Sequence, residues 1–359
     1  MRSMKLFQVV GDYGDDFHAG PKAQRDVTAI LEGEGWKPFV VKRPTFGKGL
    51  AGKMFARLVW AVQCRRLRER MPEDCTIFMQ YPSAAWSKSP ALRVVTARVK
   101  ARKKFRLVTL VHDLASLRWG DVPLGERQLF EEERTLMEIA DRVIVHNESM
   151  KATLVKRGIS AEKLITLDAF DYLTSEPLAV DRRLSPAVVI AGNLNPDKAG
   201  YLEALAQIRG VDWNLYGVQF DSKRLKGDNV RFLGCYSPEE LPDKLEGAFG
   251  LVWDGPSAET CTGDLGNYMR INNPHKLSLY LASGMPVLIW KNAAEAGFVR
   301  TQIVNGTHAL ASVYLGLLRS GDELIYCNGD PYDTMCVKAR SLAQLVRSGH
   351  FLKQAMEEA

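Results

Sequence analysis

The chain has 359 residues, 46% of them apolar and 25% charged, with a formal net charge of +6. Those proportions exclude a disordered or fibrous polymer and allow about two domains with proper cores, and so mild a charge does not by itself point to nucleic acid. No apolar run reaches the roughly 18 residues that cross a bilayer, no signal-peptide pattern opens the chain, and the six cysteines show no C-x-x-C or metal-ligand spacing, so reduced thiols in a cytoplasmic protein are expected.

In chain order, the first half alternates strand and helix. Strands are predicted at 6–11, 37–41, 76–81, 106–112, 142–146 and 163–167, with helices at 21–33, 50–71, 90–104, 126–140 and 149–158. Strands separated by helices of this length form βαβ crossovers, so the sheet is expected to be parallel and doubly wound. A polar stretch with two prolines, 174–186, interrupts the rhythm as a linker. A second alternation follows, with strands at 187–192, 213–217, 230–233, 250–253 and 286–290, and the chain closes on a charged amphipathic helix or pair of helices, 332–359. The fold class is α/β: one Rossmann-like domain over 1–173, a second over 187–331, and a helical tail over 332–359. Two such sheets place a cleft where their strand C-termini face each other, the usual ligand site.

Several strand ends carry residues suited to chemistry. The first strand enters a glycine-rich loop in which Gly14 and Gly20 permit closure over a ligand, while Asp12, Asp16 and His18 offer polar contacts. A plain acidic connection would look the same. His112 and Asp113 end the apolar fourth strand. Asp113 is the first choice for a general base and His112 the second, with Arg118 orienting the carboxylate or a phosphate; alternatively Asp113 caps the next segment. His146 ends the fifth strand, where it lines the same cleft or serves the fold.

In the second half, Gly192 and Asn193 close a strand, and Lys198 follows beside a helix start. This is a phosphate grip or a capped helix with a solvated lysine. Tyr216 and Tyr236 stand at the next two strand ends, where an aromatic ring stacks on a nucleobase or fills the core. A Trp253-Asp254-Gly255 turn leads into a loop over 256–270. Then Asn272, Asn273, Pro274, His275 and Lys276 open a helix that ends at Gly284. Free N–H groups and a fixed positive charge at a helix start suit a diphosphate. The literal G-x-G-x-x-G at 47–52 is separated from its preceding strand by several residues, which makes an NAD(P)-dependent oxidoreductase the weaker reading.

The run from Asn272 to Val287 resembles the P-x-K-x-x-x-Y-x-A-S-G-x-P-V signature of glycosyltransferases with the two-Rossmann GT-B fold. The W-D-G turn, the G-x-x-G-N-Y-x-x-x-N-N-P-H-K run at 263–276, V-H-D-x-x-S-L-R at 111–118 and I-V-H-N-x-x-M at 144–150 narrow the likeness. They resemble a bacterial subfamily of β-1,6-galactofuranosyltransferases and the glucosyltransferase that extends O-linked N-acetylglucosamine on serine-rich adhesins. The resemblance implies transfer of glucose, galactose or galactofuranose from a UDP-sugar to a glycan carried by lipid or protein. It places the donor on Gly192, Asn193, Lys198, Tyr216, Tyr236, Asp254, Asn272, Asn273, His275 and Lys276. The acceptor falls to the first loop, Arg118 and His146. A tail crossing back to the first domain and a homo-oligomer are also implied.

Two departures shape these expectations. Leu279 stands where many GT-B enzymes carry a ribose-binding glutamate, and the glutamate pair of many retaining enzymes is missing, so inversion is expected. No D-x-D occurs, which argues against the metal-dependent GT-A fold. Catalysis without a metal or cofactor is expected, with Lys276, Lys198 and helix dipoles on the leaving diphosphate. Basic clusters at 65–70 and 93–104, beside Met54, Phe55, Leu58 and Val62, are either membrane-facing or simply solvated. A UDP-sugar-binding subunit without turnover is the remaining alternative; nucleic acid is not an expected partner.

Overall fold

The computed structural model describes residues 5–11, 19–41, 49–70, 72–82, 100, 104–119, 129–174, 182–183, 185–205, 207–208, 210–225, 227–298 and 332–359. The first sheet has six parallel strands in the order β2 (Lys37–Val41), β1 (Lys5–Gly11), β3 (Cys75–Tyr81), β4 (Arg106–Val111), β5 (Arg142–Val145) and β6 (Leu164–Thr166). The second has five, in the order β11 (Val287–Ile289), β10 (Phe249–Val252), β7 (Ala187–Asn193), β8 (Asp212–Val218) and β9 (Val230–Gly234). Every pairing is parallel. Apolar residues therefore run continuously along the central strands: all of β3 and β10 is buried. Pro38, which cannot donate to a ladder, sits on the edge strand β2.

In the second sheet the strand order reverses at β7, between β10 and β8. Such a switch point opens a crevice at the strand C-termini. β10 pairs with β7 only at Phe249 and Gly250 and then diverges from it. Tyr280 fills the split. Its hydroxyl accepts from Ala191 N–H (2.9 Å) and donates to Leu251 O (3.3 Å), replacing lost ladder bonds. Its ring lies flat on Gly250, where a Cβ would stand 2.3 Å from the ring. The helix His275–Ala282 is thus fastened across the crevice, with its N-terminus at the crevice mouth.

Four expectations change. His112 and His146 follow their strands rather than ending them, and the 256–270 loop contains a helix, Gly263–Tyr268. The tail divides at Gly349 (φ +77°). Its first helix, Tyr332–Ser348, packs on the second domain's His275–Ala282 helix and meets the first domain near its end, where Val346 O accepts from Tyr172 N–H (3.0 Å); the second, His350–Glu358, lies on the first domain. Asp171 fixes that crossing by accepting from Phe351 N–H (3.2 Å) and Leu352 N–H (2.8 Å). Lys100 turns inward to Asp141 (2.5 Å) rather than outward. Most of the 90–104 helix lies outside the described residues.

Candidate active site

A cavity of about 420 Å³ lies between the C-terminal edges of the two sheets. Its floor comes from the second domain. Gly192 and Gly217 face each other at the ends of β7 and β8, both with positive φ. A Cβ on Gly217 would lie 1.8 Å from the Gly192 carbonyl oxygen, so only glycine permits this approach. Asn193 then turns the chain, its side-chain oxygen accepting from Asn195 N–H (2.9 Å), and delivers Lys198 to the cavity.

Lys276 stands in the first turn of the His275–Ala282 helix. That helix begins after Pro274 with no side-chain cap, so its first amides remain available to an anion. The Lys276 ammonium donates to Asp254 Oδ1 (2.7 Å) and to Trp253 O (2.8 Å), which leaves its third proton for a ligand. Lys198 approaches the other Asp254 oxygen at 3.8 Å. One buried carboxylate thus holds two ammonium groups, and the trio keeps a net positive charge. Burial pulls the Lys276 pKa down, while Asp254 supports the charged form.

The opposite wall is the turn after β4. His112 N–H donates to Tyr81 O (2.6 Å). The Gln80 amide nitrogen donates to Gln24 O and Thr28 Oγ1, which aims its oxygen at His112 Nε2 (2.7 Å). The His112 proton therefore sits on Nε2, and Nδ1 is buried without a partner among the described residues. Burial, with His275 and His146 nearby, holds His112 neutral well below its ordinary range.

Asp113 keeps 40% of its side chain exposed to the cavity and pairs with Arg118 Nη1 at 3.1 Å. Crowding by the protein raises its carboxyl above the usual range against the pull of Arg118 and Lys198, which makes it the better proton acceptor. Buried Glu133 accepts from Ser116 N–H (3.3 Å) and steadies the turn.

The cavity brings together His112, Asp113, Arg118, Gly192, Asn193, Lys198, Tyr236, Asp254, Asn272, Asn273, His275 and Lys276. Asn272 Oδ1 is buried there with no partner among the described residues. His275 is held neutral, its pKa pushed by burial to about 3. Asp12, Gly14, Asp16 and His18 lie outside the described residues, and Gly20 falls in the first turn of the Ala19–Gly33 helix.

Three expected contacts are corrected. Tyr216 is a core residue whose hydroxyl donates to Lys244 O and accepts from Glu246 N–H, both at 3.0 Å. Asn273 lines the cavity, but its amide donates to His146 O (2.7 Å) and Asp168 O (2.9 Å), and its oxygen accepts from Asn147. His146 does not line the cavity: its Nδ1 accepts from Asn273 N–H (2.9 Å), joining the two domains.

Sequence reasoning missed the groups that hold the walls together. Tyr268 of the second domain accepts from Leu114 N–H (3.3 Å) and lies within hydrogen-bonding reach of Asp113. Tyr172 of the first domain donates to Pro238 O (2.6 Å) of the second. Phe170 packs between His112 and His275, at 5.4 and 4.3 Å between ring centres. Buried Asp26 accepts from Lys22 and from Leu173 N–H (3.1 Å), fixing the chain where it leaves the first domain. Two of these carried a prior signal: Tyr268 by its place in the G-N-Y run and Asp26 by an A-x-x-D pattern, Ala23 to Asp26, after the first loop.

Two doubly wound parallel sheets whose strand C-termini face a shared cavity define the GT-B fold. Solved structures share this architecture. Anabaena HepE in complex with UDP and glucose aligns over 99% of this chain and 98% of its own, at 14% identity and a TM-score of 0.54. The lipopolysaccharide outer core galactosyltransferase WaaB aligns over 99% and 100%, at 13% identity and a TM-score of 0.58. The chain belongs to the glucosyltransferase 3-like family, whose N-terminal domain matches residues 9–169 and C-terminal domain residues 188–359. The β-1,6-galactofuranosyltransferase WbbI of Escherichia coli (strain K12) is 34% identical over 264 residues, 71% of each chain. Glucosyltransferase 3 of Streptococcus gordonii is 23% identical over 286 residues, 78% of each. Membership of this family favours glycosyl transfer over the oxidoreductase reading.

Proposed function

We propose that this enzyme moves a hexose (glucose, galactose or galactofuranose) from a UDP-sugar to a hydroxyl of a glycan acceptor, with inversion and without a divalent ion. The observation that carries this reading is the Lys276–Asp254–Lys198 trio at the exposed amides of a helix, facing Asp113 across the cavity. Asp113 takes the proton of the acceptor hydroxyl as that oxygen attacks the anomeric carbon. The bond to the diphosphate breaks on the far side, and Lys276, Lys198 and the helix amides receive the charge that develops there. His112, with Nε2 bound to Gln80 and Nδ1 buried, supports the turn rather than taking the proton. Asn272 Oδ1 is an acceptor for a donor hydroxyl, and Tyr236 offers the ring for the base. The test is release of UDP from UDP-glucose, UDP-galactose and UDP-galactofuranose with a panel of oligosaccharides, in excess EDTA. Transfer at full rate in EDTA with an inverted product is expected; loss of activity restored by Mg²⁺ overturns the metal-free mechanism.

The same reading places the enzyme in the cytoplasm at the inner face of the membrane. Among the described residues no helix is long and apolar enough to span a bilayer. What supports surface attachment is the Leu50–Arg70 helix, on which Leu50, Met54, Phe55, Leu58 and Val62 are exposed large apolar residues. Arg65 and Arg66 are exposed just beyond this apolar stripe, basic charge placed to meet anionic headgroups. Sedimentation with phosphatidylglycerol vesicles but not phosphatidylcholine vesicles is expected. Burial of the stripe by a second copy predicts instead a dimer by light scattering that Leu58→Glu dissociates.

A further inference from the structure

A second cavity, of about 290 Å³, opens on the first-domain side of the base. It shares Asp113 and Arg118 with the interdomain cavity and is bounded otherwise by Tyr81, Pro82, Ala115, Trp119, Phe130 and Glu132. Trp119 is 55% exposed and Phe130 52%, while most large apolar residues of this domain are buried. Two solvated aromatic rings beside a guanidinium and two carboxylates need a ligand that is apolar on one face and hydroxylated at its rim.

We propose that this groove is the acceptor subsite and that it binds one pyranose ring of a saccharide, delivering a hydroxyl to Asp113. The inference rests on the sugar-transfer reading and adds to it the place and chemical class of the acceptor. A pyranose ring presents axial C–H groups, whose partial positive charge suits the negative face of an aromatic ring. Its equatorial hydroxyls project outward, toward Arg118 and Glu132. Arg118 gives Nη1 to Asp113, and its guanidinium lies 5.3 Å from the centre of the Trp119 ring, which ties the cation to the aromatic wall of the groove.

The volume stands at the lower limit of the roughly 300–1,000 Å³ usual for small-molecule sites, which is room for a ring rather than a chain. A lipid tail would cover Asp113, Arg118 and Glu132, three of the eight lining residues, with nothing to hydrogen-bond them. A peptide strand finds no sheet edge here, because β3 and β4 are interior strands whose backbones are already paired. Asp113 joins the two cavities, so the nucleophile enters from one side and the donor from the other.

The experiment is saturation-transfer NMR with methyl β-glucopyranoside and methyl β-galactopyranoside as probes, beside calorimetry with UDP, on wild type, Trp119→Ala, Phe130→Ala and Trp119→Phe. Wild type is expected to bind UDP and to transfer saturation to the ring C–H protons of at least one glycoside. Trp119→Ala and Phe130→Ala should weaken the glycoside about tenfold or more, equivalent to ~1.4 kcal/mol, and leave UDP affinity within about twofold; Trp119→Phe should retain most of the contact. Wild-type levels of saturation transfer in both alanine variants, or UDP binding by wild type with no contact to either glycoside, overturns the subsite while sugar transfer stands. Failure of wild type to bind UDP removes the sugar-transfer reading, and this proposal with it.

Discussion

The two walls of the cleft differ in how completely each is built by its own domain. Lys276 is only 11% exposed, and both of its protein partners belong to the second domain. Asp113 is 40% exposed and is flanked by Arg118 from its own domain and by Tyr268 from the other. The proposed diphosphate grip is therefore complete within one domain, whereas the proposed base is fully placed only when both domains meet. Donor binding should survive changes that loosen the domain interface, and transfer should not.

The sharpest way to break this contrast is Asp113→Asn. It keeps the size of the side chain and removes its capacity to take a proton, so kcat is expected to fall about 10²–10⁴-fold, the usual range for a general base. UDP affinity, measured by calorimetry, should stay unchanged. Equal losses in both would place Asp113 in donor binding instead. Lys276→Ala should lower kcat about 10²–10³-fold and weaken UDP as well, since the grip acts on ground state and leaving group alike. Removing the lysine also leaves Asp254 buried with Lys198 at 3.8 Å, so some loss of thermal stability is expected. Lys276→Ala/Asp254→Asn should recover that stability without recovering UDP binding, which separates the charge's role in the site from its role in the fold.

Tyr268→Phe tests the cross-domain support directly. Loss of one hydroxyl beside the base should cost about tenfold in kcat, the equivalent of one ordinary hydrogen bond of ~1–1.5 kcal/mol, with UDP affinity unaffected. A variant indistinguishable from wild type would mean that Arg118 alone orients Asp113.

The sheets were legible because parallel strands read as continuous apolar runs with glycines at their ends, and the predicted strands coincide with β1 through β11 to within a residue or two. That Lys276, Lys198 and Asp113 line the cavity was legible because each follows a strand or starts a helix at the cleft edge, where local order dictates direction. Tyr216 and Asn273 were misread for one reason. Their polar atoms meet partners far along the chain, Glu246 and His146, and nothing near either residue in sequence signals that those partners will use them. Tyr280 shows the reverse: its contacts with Ala191 and Leu251 explain its place in the signature by sheet architecture, with no ligand required. The cross-domain contacts of Tyr172 and Tyr268 depend on how two units dock, which no periodicity encodes.

The domain junction offers a smaller effect with a definite sign. His146 Nδ1 accepts from Asn273 N–H, so a proton on that nitrogen would set two donors against each other. Burial lowers the His146 pKa from its ordinary 6.5 to about 4. A base with a depressed pKa binds its proton more readily in the unfolded chain. The corresponding stability is therefore intact above pH 6.5 and is lost as the pH falls toward 4. Buried Asp171, raised to about 7, works in the opposite direction over the same range, so wild type alone cannot isolate the histidine. His146→Gln can, because its side-chain oxygen can accept from Asn273 N–H and does not titrate there, while Asp171 remains in both proteins. Thermal melts between pH 7 and 4 should show a shallower acid decline in the variant than in wild type. Parallel declines would mean that the His146–Asn273 contact opens before the histidine takes up its proton.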